Sequence, residues 1–187
     1  VRRGITTPER IGVRGGSNGG LLVGNMLVRS PSLFGAVVCD VPLLDMRRYH
    51  KLLAGASWMA EYGDPDVEAD WAFLRNYSPY HQIGLSPPDA EGGPVSSYPP
   101  TFVVTSTRDD RVHPGHARKL AHKLGELGHR GLYYENIEGG HGGTANNKQR
   151  AYMETLRFAF LKATLFDGAR PRGAPSWRAR RPRSPLK

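Results

Sequence analysis

Residues 12–20 read GVRGGSNGG, a single serine between two glycine pairs at the end of a short β-branched run. A flexible linker, a phosphate-cradling loop and a nucleophile held on a sharp turn all share this composition. The flanks separate them. Arg10–Arg14 (RIGVR) reads as a buried strand. NGGLLVGNMLV, residues 18–28, carries apolar side chains at helical spacing, with Pro31 just beyond it. Gly15-Gly16-Ser17-Asn18-Gly19 therefore matches G-x-S-x-G at a strand-to-helix junction. Such a turn is strained, and small neighbours let strand and helix approach. The N–H of Asn18 then faces a developing oxyanion, and the helix N-terminus favours negative charge. Phosphate binding fits less well, because GxGxxG is absent and no lysine follows as in a P-loop. These residues alone still leave open a glycine-rich turn with a solvent-facing serine.

Working outward, FGAVVCDVP (34–42) predicts a second buried strand. Residues 43–62 read as mainly helical, with Leu43, Met46, Leu52 and Leu53 as core positions, and VEADWAFLRN (67–76) as a short amphipathic helix. Residues 83–100 hold five prolines and three glycines and read as a loop. PTFVVTST (100–107) predicts a strand, HPGHARKLAHKLGELG (113–128) a helix, GLYYENIE (131–138) a strand and KQRAYMETLRFAFLKATLF (148–166) a long amphipathic helix. This alternation implies an α/β fold, a parallel sheet with crossover helices.

At 187 residues the chain suits one domain, of which we expect residues 1–166 to form the folded part. The net charge of +9 resembles a nucleic-acid footprint, yet residues 167–187 hold six Arg and one Lys against one Asp. We expect that Pro/Arg-rich tail to be disordered and nucleic acid not to be a partner of the folded region. One cysteine, Cys39, precludes an internal disulfide and fits a reducing, cytoplasmic setting. No metal-ligand spacing appears, so neither metal nor cofactor is expected. No apolar run reaches the ~20 residues of a membrane span, and the N-terminus lacks the apolar stretch of a signal peptide.

A serine hydroxyl needs a base, and the base an orienting acceptor. Of seven histidines, His113, His116 and His122 fall in or near a helix and are expected at its surface, whereas His50, His81 and His129 lack a strand-end context. His141 follows the strand LYYENIE inside GGHGG, where glycines let a loop swing the ring over another strand end. STRDDRV places Asp109 and Asp110 at the carboxyl end of a strand, the edge where α/β sheets collect ligands. Either aspartate could instead cap the next helix or pair with Arg111. The order Ser17, then Asp109 or Asp110, then His141 is that of α/β-hydrolases.

With these residues in hand, the chain resembles the catalytic domain of the prolyl oligopeptidase family of serine peptidases, over roughly residues 1–166. GGSNGGLLVG resembles the family's nucleophile elbow, RDDRVHPGHARK its acid loop and GGHGG its histidine loop. The resemblance selects Asp109 as the acid, gives Arg111 a substrate carbonyl to bind, and makes Val112 a wall of the pocket for the residue before the scissile bond. HKLLAGASWMAEYGDP (50–65) resembles the segment that supplies that pocket's tryptophan and tyrosine, here Trp58 and Tyr62. It implies a serine-type oligopeptidase acting on short peptides, cleaving after proline. An esterase or acylaminoacyl peptidase is the alternative, as is an inactive fragment serving as a binding module. The family's β-propeller, the first strands of its sheet and its second oxyanion donor, a tyrosine, have no counterpart before Val1. We therefore expect a partial α/β-hydrolase fold with an open strand edge beside the elbow, its natural partner being the missing N-terminal part of the same enzyme.

Overall fold

The computed structural model describes residues 1–85, 98–129 and 131–167. Most of the expected proline-rich loop and the expected disordered tail lie outside the described residues. Four strands, β1 (Gly12–Gly16), β2 (Ala36–Asp40), β3 (Thr101–Ser106) and β4 (Gly131–Asn136), form one parallel sheet in sequential order. The main helices are α1 (Asn18–Arg29), α5 (Gly115–Glu126) and α6 (Asn147–Leu165), with shorter α2 (Met59–Tyr62), α3 (Glu68–Leu74) and α4 (Pro79–Gln82) between β2 and β3.

Period-two alternation distributes the sheet's side chains to two helical layers. Val37, Cys39 and Val103 point to one face and pack with Val23, Leu27 and Val28 of α1 and Ala117, Leu120 and Leu124 of α5. Val38, Phe102 and Val104 point to the other and meet Met153, Leu156 and Phe160 of α6. β2 and β3 are buried along their whole length, as near-continuous apolar runs of a parallel sheet require. Burying one such Val or Leu side chain contributes about 1.5–3 kcal/mol.

Charge ties the layers on the α6 side. Arg157, itself 6% exposed, donates from Nε to Asp40 Oδ1 at 2.8 Å. Arg14 on β1 donates to the other Asp40 oxygen at 2.8 Å and forks onto both Glu154 oxygens at 2.7 and 2.8 Å. The buried Asp40 carboxylate is thus compensated from two elements, the condition under which a buried charge is tolerated.

Several expectations need correction. β1 is not buried: its residues alternate between exposed and half-exposed, and among the described residues it pairs with β2 alone. Residues 43–62 are not mainly helical. They form 3-10 turns at Tyr49–Lys51 and Leu53–Trp58 and only one turn of α-helix, and Leu53 has a φ of 50° that ends any continuous helix. Leu43 and Met46 are core residues as expected, but Leu53 is half-exposed. α5 starts only at Gly115, and its His116 is buried rather than at the surface.

Candidate active site

Ser17 sits between β1 and α1 with φ 58° and ψ −118°, a conformation non-glycine residues rarely adopt. Its backbone N–H donates to Asp40 O at 2.9 Å, and its carbonyl accepts from Gly20, Leu21 and Leu43. The turn is over-determined by these bonds, the condition under which such strain persists. Gly15 is essential to it: a Cβ there would lie 2.2 Å from the carbonyl oxygen of Gly19. At Gly19 itself a Cβ would meet no atom within 4 Å, so the last glycine of the motif is not demanded by packing.

The hydroxyl Oγ of Ser17 lies 2.9 Å from Nε2 of His141. Nδ1 of His141 lies 2.9 and 3.0 Å from the two oxygens of Asp109. Asp109 is chosen over Asp110 by burial: it is 4% exposed, whereas Asp110 faces solvent. Neither role left open for the acid, a helix cap or a partner for the Arg111 side chain, is what Asp109 does. Its Oδ1 accepts the backbone N–H groups of Arg111 and Val112, each at 2.9 Å, which closes the acid loop on itself. With three N–H donors on one carboxylate, the anion is held in a single orientation.

The loop of His141 is cinched by residues that sequence reasoning did not single out. Asn136, at the end of β4, donates from Nδ2 to Gly143 O at 2.8 Å and to Gln149 Oε1 at 3.2 Å. Gln149 Oε1 also accepts from Ala145 N at 2.7 Å, and its Nε2 donates to Glu138. Glycine flanks around the histidine were legible, but the amides that hold the loop carried no signal of their own.

Trp58, Tyr62 and Val112 converge on one apolar cluster with Leu21, Leu43 and Met46. Leu43 and Met46 are the core residues of this cluster, as their spacing implied. The Tyr62 hydroxyl donates to Asn18 Oδ1, so this cluster touches the elbow directly. Burial pushes the Tyr62 phenol above its ordinary value, which keeps it a neutral donor. A groove of about 550 Å³ opens alongside, lined by Asn18, Leu21, Leu22, Met26, Tyr62 and Tyr77 among others. Trp58 and Val112 do not line it. Arg111 is exposed, and among the described residues no side chain holds its guanidinium. His50, Asp64 and Asp66 bring three donor atoms within 4.8 Å, but Asp66 is already paired with Lys51 at 2.7 Å and His50 at 3.1 Å, which accounts for the cluster. Among the described residues no helix is long and apolar enough to cross a membrane.

A parallel sheet, a strained serine elbow after β1 and an aspartate and a histidine delivered by the loops after β3 and β4 define an α/β-hydrolase. The profile of the prolyl oligopeptidase family matches residues 1–167, and the chain belongs to that family. It is 44% identical over 167 residues, 89% of its own length, to an uncharacterized peptidase, y4nA, of Sinorhizobium fredii, and covers 22% of that relative. It is 37% identical to a prolyl endopeptidase of Dictyostelium discoideum over 124 residues, 66% of this chain and 15% of that protein. Among solved structures, a post-proline cleaving enzyme from Rickettsia typhi superposes with a TM-score of 0.80 at 36% identity, covering 88% of this chain and 23% of that one. The chain thus spans less than a quarter of the length of these relatives.

Proposed function

We propose that residues 1–166 are the C-terminal portion of a serine peptidase catalytic domain, acting on short peptides through an acyl-enzyme. Ser17 attacks the scissile carbonyl while His141 Nε2 takes its proton and later delivers it to the leaving amine. Asp109 holds the imidazole in the tautomer with hydrogen on Nδ1 and offsets the imidazolium charge. The first N–H groups of α1 have no intrahelical partner, so that of Asn18 is available to the oxyanion. Arg111 binds a backbone carbonyl of the peptide. Tyr62 lines the groove beside the elbow, and Trp58 and Val112 support it from the same apolar cluster, together forming the pocket for the residue before the cut; a flat aromatic wall suits a pyrrolidine ring. The single observation that carries this reading is the unbroken relay from Ser17 Oγ through His141 to Asp109, each step at about 3 Å, built from residues 124 positions apart.

Fluorophosphonate labelling tests it. The chain, joined to the additional sequence its relatives carry, should be labelled at Ser17, and Ser17→Ala should abolish the signal. Labelling that persists in Ser17→Ala refutes the assignment. Comparing turnover of a peptide cut after proline with that of a p-nitrophenyl ester separates the peptidase from an esterase.

A further inference from the structure

His116 is one of the most deeply buried polar residues of the described chain, 1% exposed, although its place in a basic helix points to the surface. Its Nδ1 accepts from Asp45 N at 3.0 Å and from Leu44 N at 3.3 Å. A nitrogen that accepts from two amides carries no proton, so the imidazole is neutral with its hydrogen on Nε2. A proton on Nδ1 would set one N–H against two others.

The two amides belong to the turn that follows β2, and this turn borders the elbow. Leu43 donates from its backbone N–H to Ser17 O at 3.2 Å. Leu43 and Met46 pack with Val112 in the apolar cluster. The turn opens with Val41 at φ 39°, an outlier for a β-branched residue that needs surrounding bonds to persist. On the other side, α5 begins three residues after Val112, the last residue of the loop that Asp109 closes. His116 therefore lies between the segment that fixes Ser17 and the segment that fixes Asp109.

We propose that His116 is a positioning residue: by accepting the Leu44 and Asp45 amides from α5, it sets the serine elbow and the acid loop at the spacing the His141 relay requires. This rests on the peptidase reading above. The neighbouring charges fit a neutral ring. Asp45 faces it from the turn, Lys119 and His113 from α5 and its lead-in, and Asp109 from the acid loop. Asp45 is 1% exposed and pairs with Lys119 and with Arg48 at 3.4 Å, which offset its charge, while the His81 ring of α4 stands 3.9 Å away. Burial drives His116 down to about 4, with Asp45 opposing and Lys119 and His113 adding to the fall.

The test uses the longer chain, with His116→Ala and His116→Asn. Asparagine places an amide oxygen where Nδ1 stood and does not titrate. At equal folded fraction, His116→Ala should label with fluorophosphonate at least tenfold more slowly and shift the amide NMR signals of Ser17 and Asp109, while His116→Asn stays within about threefold of the parent. A folded alanine variant with parental rate and unshifted signals overturns the proposal, as does a folded His116→Asn with a rate below one tenth of the parent. Nitrogen NMR of the parent's histidines, which needs no variant, must find His116 with its proton on Nε2; a proton on Nδ1 at neutral pH overturns the proposal too. If the parent fails to label at all, the peptidase reading falls, and the amide shifts and the ring proton still decide the role of His116.

Discussion

Replacing Gly15 by alanine should cost both stability and reactivity, whereas the same change four residues on should cost neither packing nor fold. The new Cβ at Gly15 would stand 2.2 Å from Gly19 O, 2.7 Å from Gly19 C and 2.9 Å from Val23 Cγ1. Two of those atoms are backbone, so no rotamer change relieves the contact. Restoring an ordinary separation of about 3.5 Å requires β1 and α1 to part by about 1 Å. Overpacking of this kind costs about 1–3 kcal/mol, which for a chain of this size lowers Tm by roughly 2–12 °C. The elbow moves with the helix, and a displacement of about 1 Å at a reacting group costs on the order of 10²-fold in rate. Gly19→Ala is the control. Its Cβ meets nothing within 4 Å, and in the first turn of a helix the change should raise stability by up to about 1 kcal/mol. Thermal unfolding read by circular dichroism, with fluorophosphonate labelling of Gly15→Ala, measures the effects. Equal losses of Tm in the two variants, or an unaltered Gly15→Ala, would refute the close-approach argument.

Three further outcomes follow from the same geometry. Asp109→Asn keeps an oxygen for the Arg111 and Val112 amides but favours the wrong tautomer of His141, so labelling should slow by roughly 10⁴-fold with Tm nearly unchanged. Asn136→Ala strips Gly143 O of its buried donor at a cost of about 1–3 kcal/mol; it should also slow labelling by loosening the His141 loop, visible as faster amide hydrogen exchange over residues 139–145. The third concerns acid. His116 is pushed by burial to about 4 in the fold, below the ordinary histidine value of about 6.5, so between these values the unfolded chain binds the extra proton. Stability present above about pH 6.5 is therefore lost as pH falls toward 4, by about 3 kcal/mol in all. Urea denaturation at pH 7 and pH 4.5 should show this part of the loss in the parent and not in His116→Asn; equal slopes in both would disprove it.

Much of the architecture was legible because it is written in short-range periods. β2 and β3 announce themselves as apolar runs between glycine and proline, and α1 as apolar spacing that stops before Pro31. Each reflects φ/ψ preference and side-chain period, which neighbours along the chain set. The order of serine, aspartate and histidine, each after a strand of one sheet, was legible too, since parallel crossovers bring every strand's carboxyl end to one rim. What stayed hidden depends on partners remote in sequence. Asp109 and Asp110 are adjacent and chemically identical: the family resemblance singled out Asp109, but residue chemistry alone could not, and it is the fold that turns one inward to His141 and the other to water. His116 sits among cationic residues on a helix, yet the turn after β2, some seventy residues earlier, buries it. The exposure of alternate residues in β1, which reads as a core strand, likewise belongs to neighbours in space, which the period of a strand does not name.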